Sequence, residues 1–411
     1  MSEVRDVTIS RVGAQGDGVA EVNGAQLFVP FTLTGERVRV EVADGGKARS
    51  VEILEASADR IAPVCRHFGR CGGCAMQHME AAVYRRWKRD QVVAAFRARA
   101  VDAPVAELVS PTGGRRRAVM TVRNSPAGVV IGFHEAGSHD LVDVIECPVL
   151  ESSIVAAMPK LRSLIAPLLP RREAARVTVT AVDPGLDVAL EGIEKALTPA
   201  LRSALAQEAA AMRLARVSVG GETVYEAFPA AMTFGAAHVV VPPGVFIQAV
   251  AEAERAMAAR ILAALDKTKS VVELFSGVGA FTFPIAAKSR VAAFDSDARA
   301  IDALLQAARM STGLKPITAL RRDLFREPLS ALELNEHDAI VLDPPRAGAE
   351  AQAHRIAKCK VKTVVAVSCN PATLARDARI LIDGGYSLED VTPIDQFRYS
   401  PHIEAVAVFR R

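Results

Sequence analysis

Three cysteines fall close together, Cys65, Cys71 and Cys74 in the spacing C-x5-C-x2-C, with glycines at 69, 72 and 73 that let the backbone wrap around a small group. A disulfide framework is not expected in a chain of 411 residues that opens MSEVRDVTIS, with early acids and no apolar signal segment. Joined by the remote Cys147, in Glu146-Cys147-Pro148, the thiolates suit a [4Fe–4S] cluster or a structural zinc. Far along the chain, Ser368-Cys369-Asn370-Pro371 places a thiol at the exit of an apolar strand, whereas Cys359 reads as core. Asp343-Pro344-Pro345-Arg346 ends another apolar run, and its paired prolines stiffen a loop that would face substrate. Glu404 precedes the final strand, Ala405–Phe409, and taken alone reads as a surface acid.

A second group of residues has the chemistry of nucleoside binding. In Glu273-Leu-Phe-Ser-Gly277-Val-Gly279, small residues at a strand-to-helix turn allow close approach of a ligand. The next strand ends at Asp295, a carboxylate placed to take both ribose hydroxyls, and Asp323 after the third is a candidate for the adenine amino group. Thr282 occupies the third-glycine position of the dinucleotide fingerprint, which favours S-adenosylmethionine over a dinucleotide.

The elements that must position these groups can be read from periodicity. From about residue 240 onward, apolar runs that each end in a polar residue alternate with helices, as a parallel sheet buried on both faces requires. Ligands collect beyond the carboxyl ends of such strands. Residues 1–56 alternate in strand style, with glycine-rich turns at 13–18, 23–24 and 44–46, and predict a small antiparallel β-barrel. Residues 79–100 read as a helix with its bases on one broad face, and 116–145 return to strand patterning. No apolar run is long enough to span a membrane. Hydrophobic residues make up 50%, which excludes a disordered chain. A cytoplasmic monomer is expected.

The net charge of +3 is unevenly spread. Residues 1–59 carry 6 basic and 10 acidic side chains, and residues 60–123 carry 13 basic and 4 acidic ones. That concentration favours a polyanion-binding face over a solvated surface, with Arg115, Arg116 and Arg117 expected on a nucleic-acid backbone.

Taken together, the C-x5-C-x2-C with a distant Cys-Pro, Asp-Pro-Pro-Arg-Ala-Gly, Ser-Cys-Asn-Pro-x-Thr and a C-terminal His-x-Glu resemble the RNA 5-methyluridine methyltransferase family. The likeness is to its branch with an N-terminal TRAM barrel and an iron–sulfur cluster, and covers nearly the whole chain. It implies an α/β architecture in three domains. These are a TRAM/OB-like barrel over 1–57, an α+β iron–sulfur and RNA-binding domain over 58–238, and a Rossmann-like S-adenosylmethionine-dependent methyltransferase domain over 239–411. It implies that Cys65, Cys71, Cys74 and Cys147 hold a [4Fe–4S] cluster. Gln248, Phe275, Gly277, Gly279, Asp295, Asp323 and Asp343 would form the cofactor and target-base site. Cys369 would be the nucleophile and Glu404 the base. The chain departs from the family pattern at Val250, Ala280, Arg398 and Ser400.

The chemistry agrees with that implication. Carbon 5 of uracil is too weak a nucleophile to take a methyl group until a thiolate adds to carbon 6, and a carboxylate can then remove the carbon 5 proton. Arg346 stands where an adenine methyltransferase would place an aromatic ring, and the Pro-Pro loop lacks the cysteine of the usual RNA 5-methylcytosine enzymes. The TRAM-plus-cluster arrangement resembles enzymes of large-subunit ribosomal RNA, with transfer RNA the alternative. A non-catalytic iron–sulfur RNA-binding protein is the remaining rival, disfavoured by the intact Cys369 and Glu404.

Overall fold

Strands Ser270–Leu274, Ala339–Leu342 and Thr363–Ser368 are buried at every residue, which is why their sequences run apolar rather than alternating. With Arg290–Asp295 and Ile317–Arg321 they form the parallel part of a seven-stranded sheet. Glu404–Arg410 inserts antiparallel between Thr363–Ser368 and the edge strand Ser387–Ile394. Counted along the domain, the strand order is 3-2-1-4-5-7-6. The order reverses between strands 1 and 4, so a crevice opens there beyond their carboxyl ends. The expected βα architecture is present in this computed structural model, which describes residues 3–42, 48–170 and 173–411.

The helix read over 79–100 forms at Ala81–Arg97, where the Glu80 carboxylate accepts the N–H groups of Ala82 and Val83. Its role differs from the expected basic face. Val92 and Phe96, with Val101 and Val105 just beyond, share a core with Leu342, Ala366 and Phe409 of the C-terminal sheet. Val105 and Val109 extend that attachment by bridging to Val391 and Ile394. Arg85 and Arg86 stay exposed, but Lys88 is fully buried. Its ammonium donates to Asp395 Oδ1 at 2.9 Å, to the Phe397 carbonyl at 3.3 Å and to the His402 carbonyl. Tyr84 Oη donates to the other Asp395 oxygen at 2.8 Å and accepts the Tyr399 N–H at 2.9 Å. A helix from the first quarter of the chain thus holds the turn that precedes the last strand.

The N-terminal segment forms two three-stranded sheets, one of Glu3–Thr8, Arg37–Val42 and Ala48–Glu55, the other of Arg11–Val12, Gly18–Val22 and Ala25–Val29. They close over a small core of Val7, Ile9, Ala20, Leu27, Val29, Val38 and Val40. The expected turn at 44–46 lies outside the described residues. A second seven-stranded sheet, mostly antiparallel, occupies the middle of the chain and carries the strand Arg117–Ser125 at its fifth position. The hairpin of Ala231–Phe234 and Ala237–Val240 straddles residue 238, and its buried side chains pack with those of the C-terminal sheet.

The arginines expected to meet RNA turn inward. Arg116 is 7% exposed, pairs with Glu254 and donates to the Gln248 carbonyl at 3.0 Å. Arg117 reaches the Gly244 carbonyl at 3.3 Å. Arg115 lies 5.6 Å from the Phe397 ring centre and donates to the Arg398 carbonyl at 3.3 Å. The basic run therefore works inside the protein, because each guanidinium meets carbonyls or a carboxylate of neighbouring segments.

Replacing Lys88 by methionine leaves Asp395 buried without its cation. The expected loss is about 3–5 kcal/mol, measured by denaturant unfolding. A loss below about 1 kcal/mol, the value of an exposed pair, would show that the charge is not sealed.

Candidate active site

At the sheet's switch point lies a cleft of about 590 Å³, lined among others by Gln248, Phe275, Gly277, Asp295, Asp343, Cys369 and Glu404. Seven of the nine expected catalytic and cofactor residues meet in it, from segments spread over more than 150 residues. Strand Ser270–Leu274 is followed by Phe275, whose φ of 64° is uncommon for a residue with a side chain and turns the chain sharply into the glycine loop. Gly277, at φ 54°, has nothing within 4 Å of where a Cβ would stand. Its N–H donates to Asp295 Oδ2 at 2.9 Å, while Asp295 Oδ1 accepts the Asp297 N–H at 2.8 Å. Asp295 thus ties two strand-end loops together at the cleft wall.

The other two expected residues stand behind the lining. A Cβ on Gly279 would come within 2.7 Å of the Phe283 ring, so this glycine permits packing of the loop on its helix. Asp323 Oδ1 accepts the N–H groups of Phe325 and Arg326 at 3.0 and 3.3 Å. It holds the turn that presents Phe325, whose ring centre is 5.5 Å from that of Phe275. Phe325, Arg346, Phe397 and His402 also line the cleft and were given no site role from sequence.

Gln396, which is 1% exposed, was missed as well, although a glutamine two residues beyond the buried strand end Val391–Ile394 was a usable signal. Its Nε2 donates to Gln248 Oε1 at 2.8 Å and to Glu404 Oε1 at 3.2 Å. Gln248 Nε2 donates in turn to Asp343 Oδ2 at 2.8 Å. Two amides therefore connect the carboxylates of Asp343 and Glu404. Glu404 is 3% exposed, not a surface acid, and its Oε2 has no hydrogen-bond partner.

Crowding of acids sets the electrostatics. Burial, and then the neighbouring Asp343, push Glu404 up to about 8, against opposing effects of Gln396 and Lys88. Burial pushes Asp343 up to about 7, with Asp295 adding and Gln248 opposing. Glu273 beneath them rises to about 8, chiefly by burial. A cleft lined by Asp295, Asp343 and Glu404 fits a cationic ligand such as a sulfonium. Burial pushes the Cys369 thiol up to about 11, helped by Glu404 and Asp343 and opposed by Arg346.

The four clustered cysteines line one separate cavity, with His67, Phe68, Gln77, Arg115 and Glu146 among the other residues around it. Among the described residues, no three His, Cys, Asp or Glu side chains are gathered closely enough to hold a single metal ion. The expected metal centre thus has its four thiols around one space, not drawn to one point. Burial pushes Cys74 up to about 11, Cys147 and Cys71 add to the rise, and Gln77 and Arg115 oppose it. This segment also touches the active-site turn. The N–H groups of Ala75 and Met76 donate to the Tyr399 carbonyl at 2.7 and 3.1 Å, and Arg398 donates to the Pro148 carbonyl at 2.9 Å.

The anionic neighbours of Cys369 give a direct test. At pH 9, Glu404→Gln removes a negative charge beside the thiol, so its pKa falls and alkylation accelerates, up to about tenfold for each unit of fall. Mass spectrometry of the Cys369 peptide after iodoacetamide treatment measures it, and an unchanged rate would separate the two groups electrostatically.

Comparison with known proteins agrees with the geometry. Residues 238–411 match the family model described as tRNA (Uracil-5-)-methyltransferase, and residues 2–47 match the TRAM domain. A Brucella suis protein named as an uncharacterized RNA methyltransferase is 48% identical, covering 100% of this chain and 99% of its own. The 23S rRNA (uracil(1939)-C(5))-methyltransferase RlmD of Cronobacter sakazakii is 34% identical, with coverage of 100% and 96%. The fold is similar to that of Pyrococcus abyssi tRNA (uracil-54, C5)-methyltransferase in complex with S-adenosyl-L-homocysteine, at a TM-score of 0.74 and 21% identity, over 98% and 99% of the two chains. The chain belongs to the RNA uracil-5-methyltransferase family and carries a TRAM domain at its N-terminal end.

Proposed function

We propose that the protein methylates carbon 5 of a uridine in large-subunit ribosomal RNA, with Cys369 as nucleophile and Glu404 as base. The observation that carries this reading is the meeting of Cys369 and a buried, half-unpartnered Glu404 in one acid-walled cleft. S-adenosylmethionine, when bound, supplies a methyl group made electrophilic by its sulfonium. Cys369 Sγ bonds to carbon 6, which makes carbon 5 enolate-like and able to take that methyl group. Glu404 then accepts the carbon 5 proton, the C5=C6 double bond re-forms, and the thiolate leaves with its electron pair. Gln248, Phe275, Gly277, Asp295 and Asp343 line the space for the nucleoside and the uracil, with Asp323 and Gly279 supporting from behind. A uridine reaches such a cleft only when splayed from its stack.

The choice of ribosomal RNA is supported by the relative named for a 23S rRNA uracil, at 34% identity along the whole chain. The three-part organisation, 1–57, 58–238 and 239–411, belongs to the same reading, with the helix Ala81–Arg97 and the hairpin around residue 238 packed on the C-terminal part.

The cysteine cavity is proposed to hold a [4Fe–4S] cluster through Cys65, Cys71, Cys74 and Cys147. A [4Fe–4S] cubane takes one thiolate on each of four irons, which matches the four cysteines around one shared space. No electron transfer enters the steps above, so the cluster would order the segment that holds Tyr399.

Two experiments test these points. Cys369→Ala should abolish methylation and any covalent RNA adduct, while Glu404→Gln should trap methylated RNA on Cys369 as a denaturation-resistant, gel-shifted complex. Activity retained by Cys369→Ala overturns the mechanism, and 5-methyluridine lost from transfer RNA instead of ribosomal RNA in cells lacking the protein overturns the substrate. Anaerobic purification should give a brown protein with about four irons per chain, and a colourless one with one zinc would remove the cluster.

A further inference from the structure

Gln396 occupies a position that fixes more than its own side chain. An amide can usually be turned over, exchanging its donor and acceptor ends. Here the Val250 backbone N–H donates to Gln396 Oε1 at 3.2 Å, and an N–H can only donate. The Nε2 end must therefore face Gln248 Oε1 and Glu404 Oε1. With its oxygen so engaged, Gln248 must point its own Nε2 at Asp343. One backbone N–H sets the direction of the whole chain of bonds.

We propose that Gln396 is a positioning residue that occupies Glu404 Oε1 as an acceptor and so directs the carbon 5 proton to Oε2. This rests on the uracil mechanism above. The two oxygens of Glu404 are inequivalent in this structure, one hydrogen-bonded and the other without a partner. The proton leaves carbon 5 for Oε2, the C–H electron pair becomes the C5=C6 bond, and the C6–S pair returns to Cys369. A donor fixed on Oε1 also favours the ionised carboxylate that this step needs. Asp343 and Cys369 face Glu404 across the cleft, and Lys88, itself paired with Asp395, faces it from the helix behind. Of these groups Asp343 and the thiolate disfavour the anion, while Lys88 supports it alongside Gln396.

The test uses the full chain, S-adenosylmethionine and an unmodified 23S rRNA transcript carrying tritium at uridine carbon 5. Methyl incorporation and tritium release are followed separately against pH. Gln396→Met fills the same space without the donor. It should slow tritium release by roughly tenfold or more, the worth of one hydrogen bond to a charged group. Methyl incorporation should run ahead of that release, and the pH midpoint of release should move upward. Equal slowing of both steps with an unmoved midpoint assigns Gln396 a purely structural role and overturns the proposal. S-adenosylhomocysteine binding checks that the variant's cleft is intact, and Gln396→Asn, which keeps an amide without the reach, replaces it if that binding is lost, with the same two outcomes. Tritium release by Cys369→Ala would instead sink the uracil mechanism itself, whatever Gln396 does.

Discussion

A lysine removed from water must have its charge answered, and much of this molecule is arranged around that requirement. The answer to Lys88 comes from the far end of the chain, as a carboxylate and two carbonyls of the turn 395–402. Because that turn carries Gln396, Phe397 and His402 and runs directly into Glu404, the cation fixes the approach of the proposed base to its substrate. Tyr84, one helical turn before Lys88, takes the second Asp395 oxygen and prevents the carboxylate from swinging. The segment is thus overdetermined, with Arg115, Ala75 and Met76 holding it from the side of the cysteine cavity.

The arginine run at 115–117 shows how position changes the meaning of charge. Arg116 grips the Gln248 carbonyl and Glu254, and so stiffens the segment from which Gln248 and the Val250 N–H reach the cleft. An excess of positive charge along a sequence records only how many cations a segment has. It does not record how many are consumed by buried carbonyls and carboxylates.

Much of the C-terminal sheet was legible because strands buried on both faces must be apolar along their length, and their polar terminal residues mark where ligands gather. Cys369 could be placed at a strand exit from its Ser-Cys-Asn-Pro motif, and the fold puts it in the cleft. Less could be read where roles depend on pairing across long separations. Lys88 and Asp395 each look like ordinary surface charges, and Gln396 like a loop residue, until three hundred residues are folded between the first two. Asp323 and Gly279 fell on the expected strand ends, yet a turn's need for a carboxylate and a helix's need for close packing claimed them first. Glu404 was read against its environment, since only the fold shows that its strand is the sixth of seven in spatial order and covered on both faces.

The embrace of the turn 395–402 by the helix Ala81–Arg97 has a consequence for the life of the nascent chain. The two N-terminal sheets can assemble from residues that leave the ribosome together, and so can most of the central one. Lys88, however, emerges long before its acceptors are translated, and until then its helix must keep that ammonium in water and its apolar face unsatisfied. Burial of Lys88 therefore requires residues 395–402, and the early helix can close fully on the sheet only once they are made. The same residues bring Gln396 and the proposed base Glu404 to the cleft. A chain that lacks residues 395–404 would hold folded modules without the Gln248–Gln396–Glu404 bridge across the cleft.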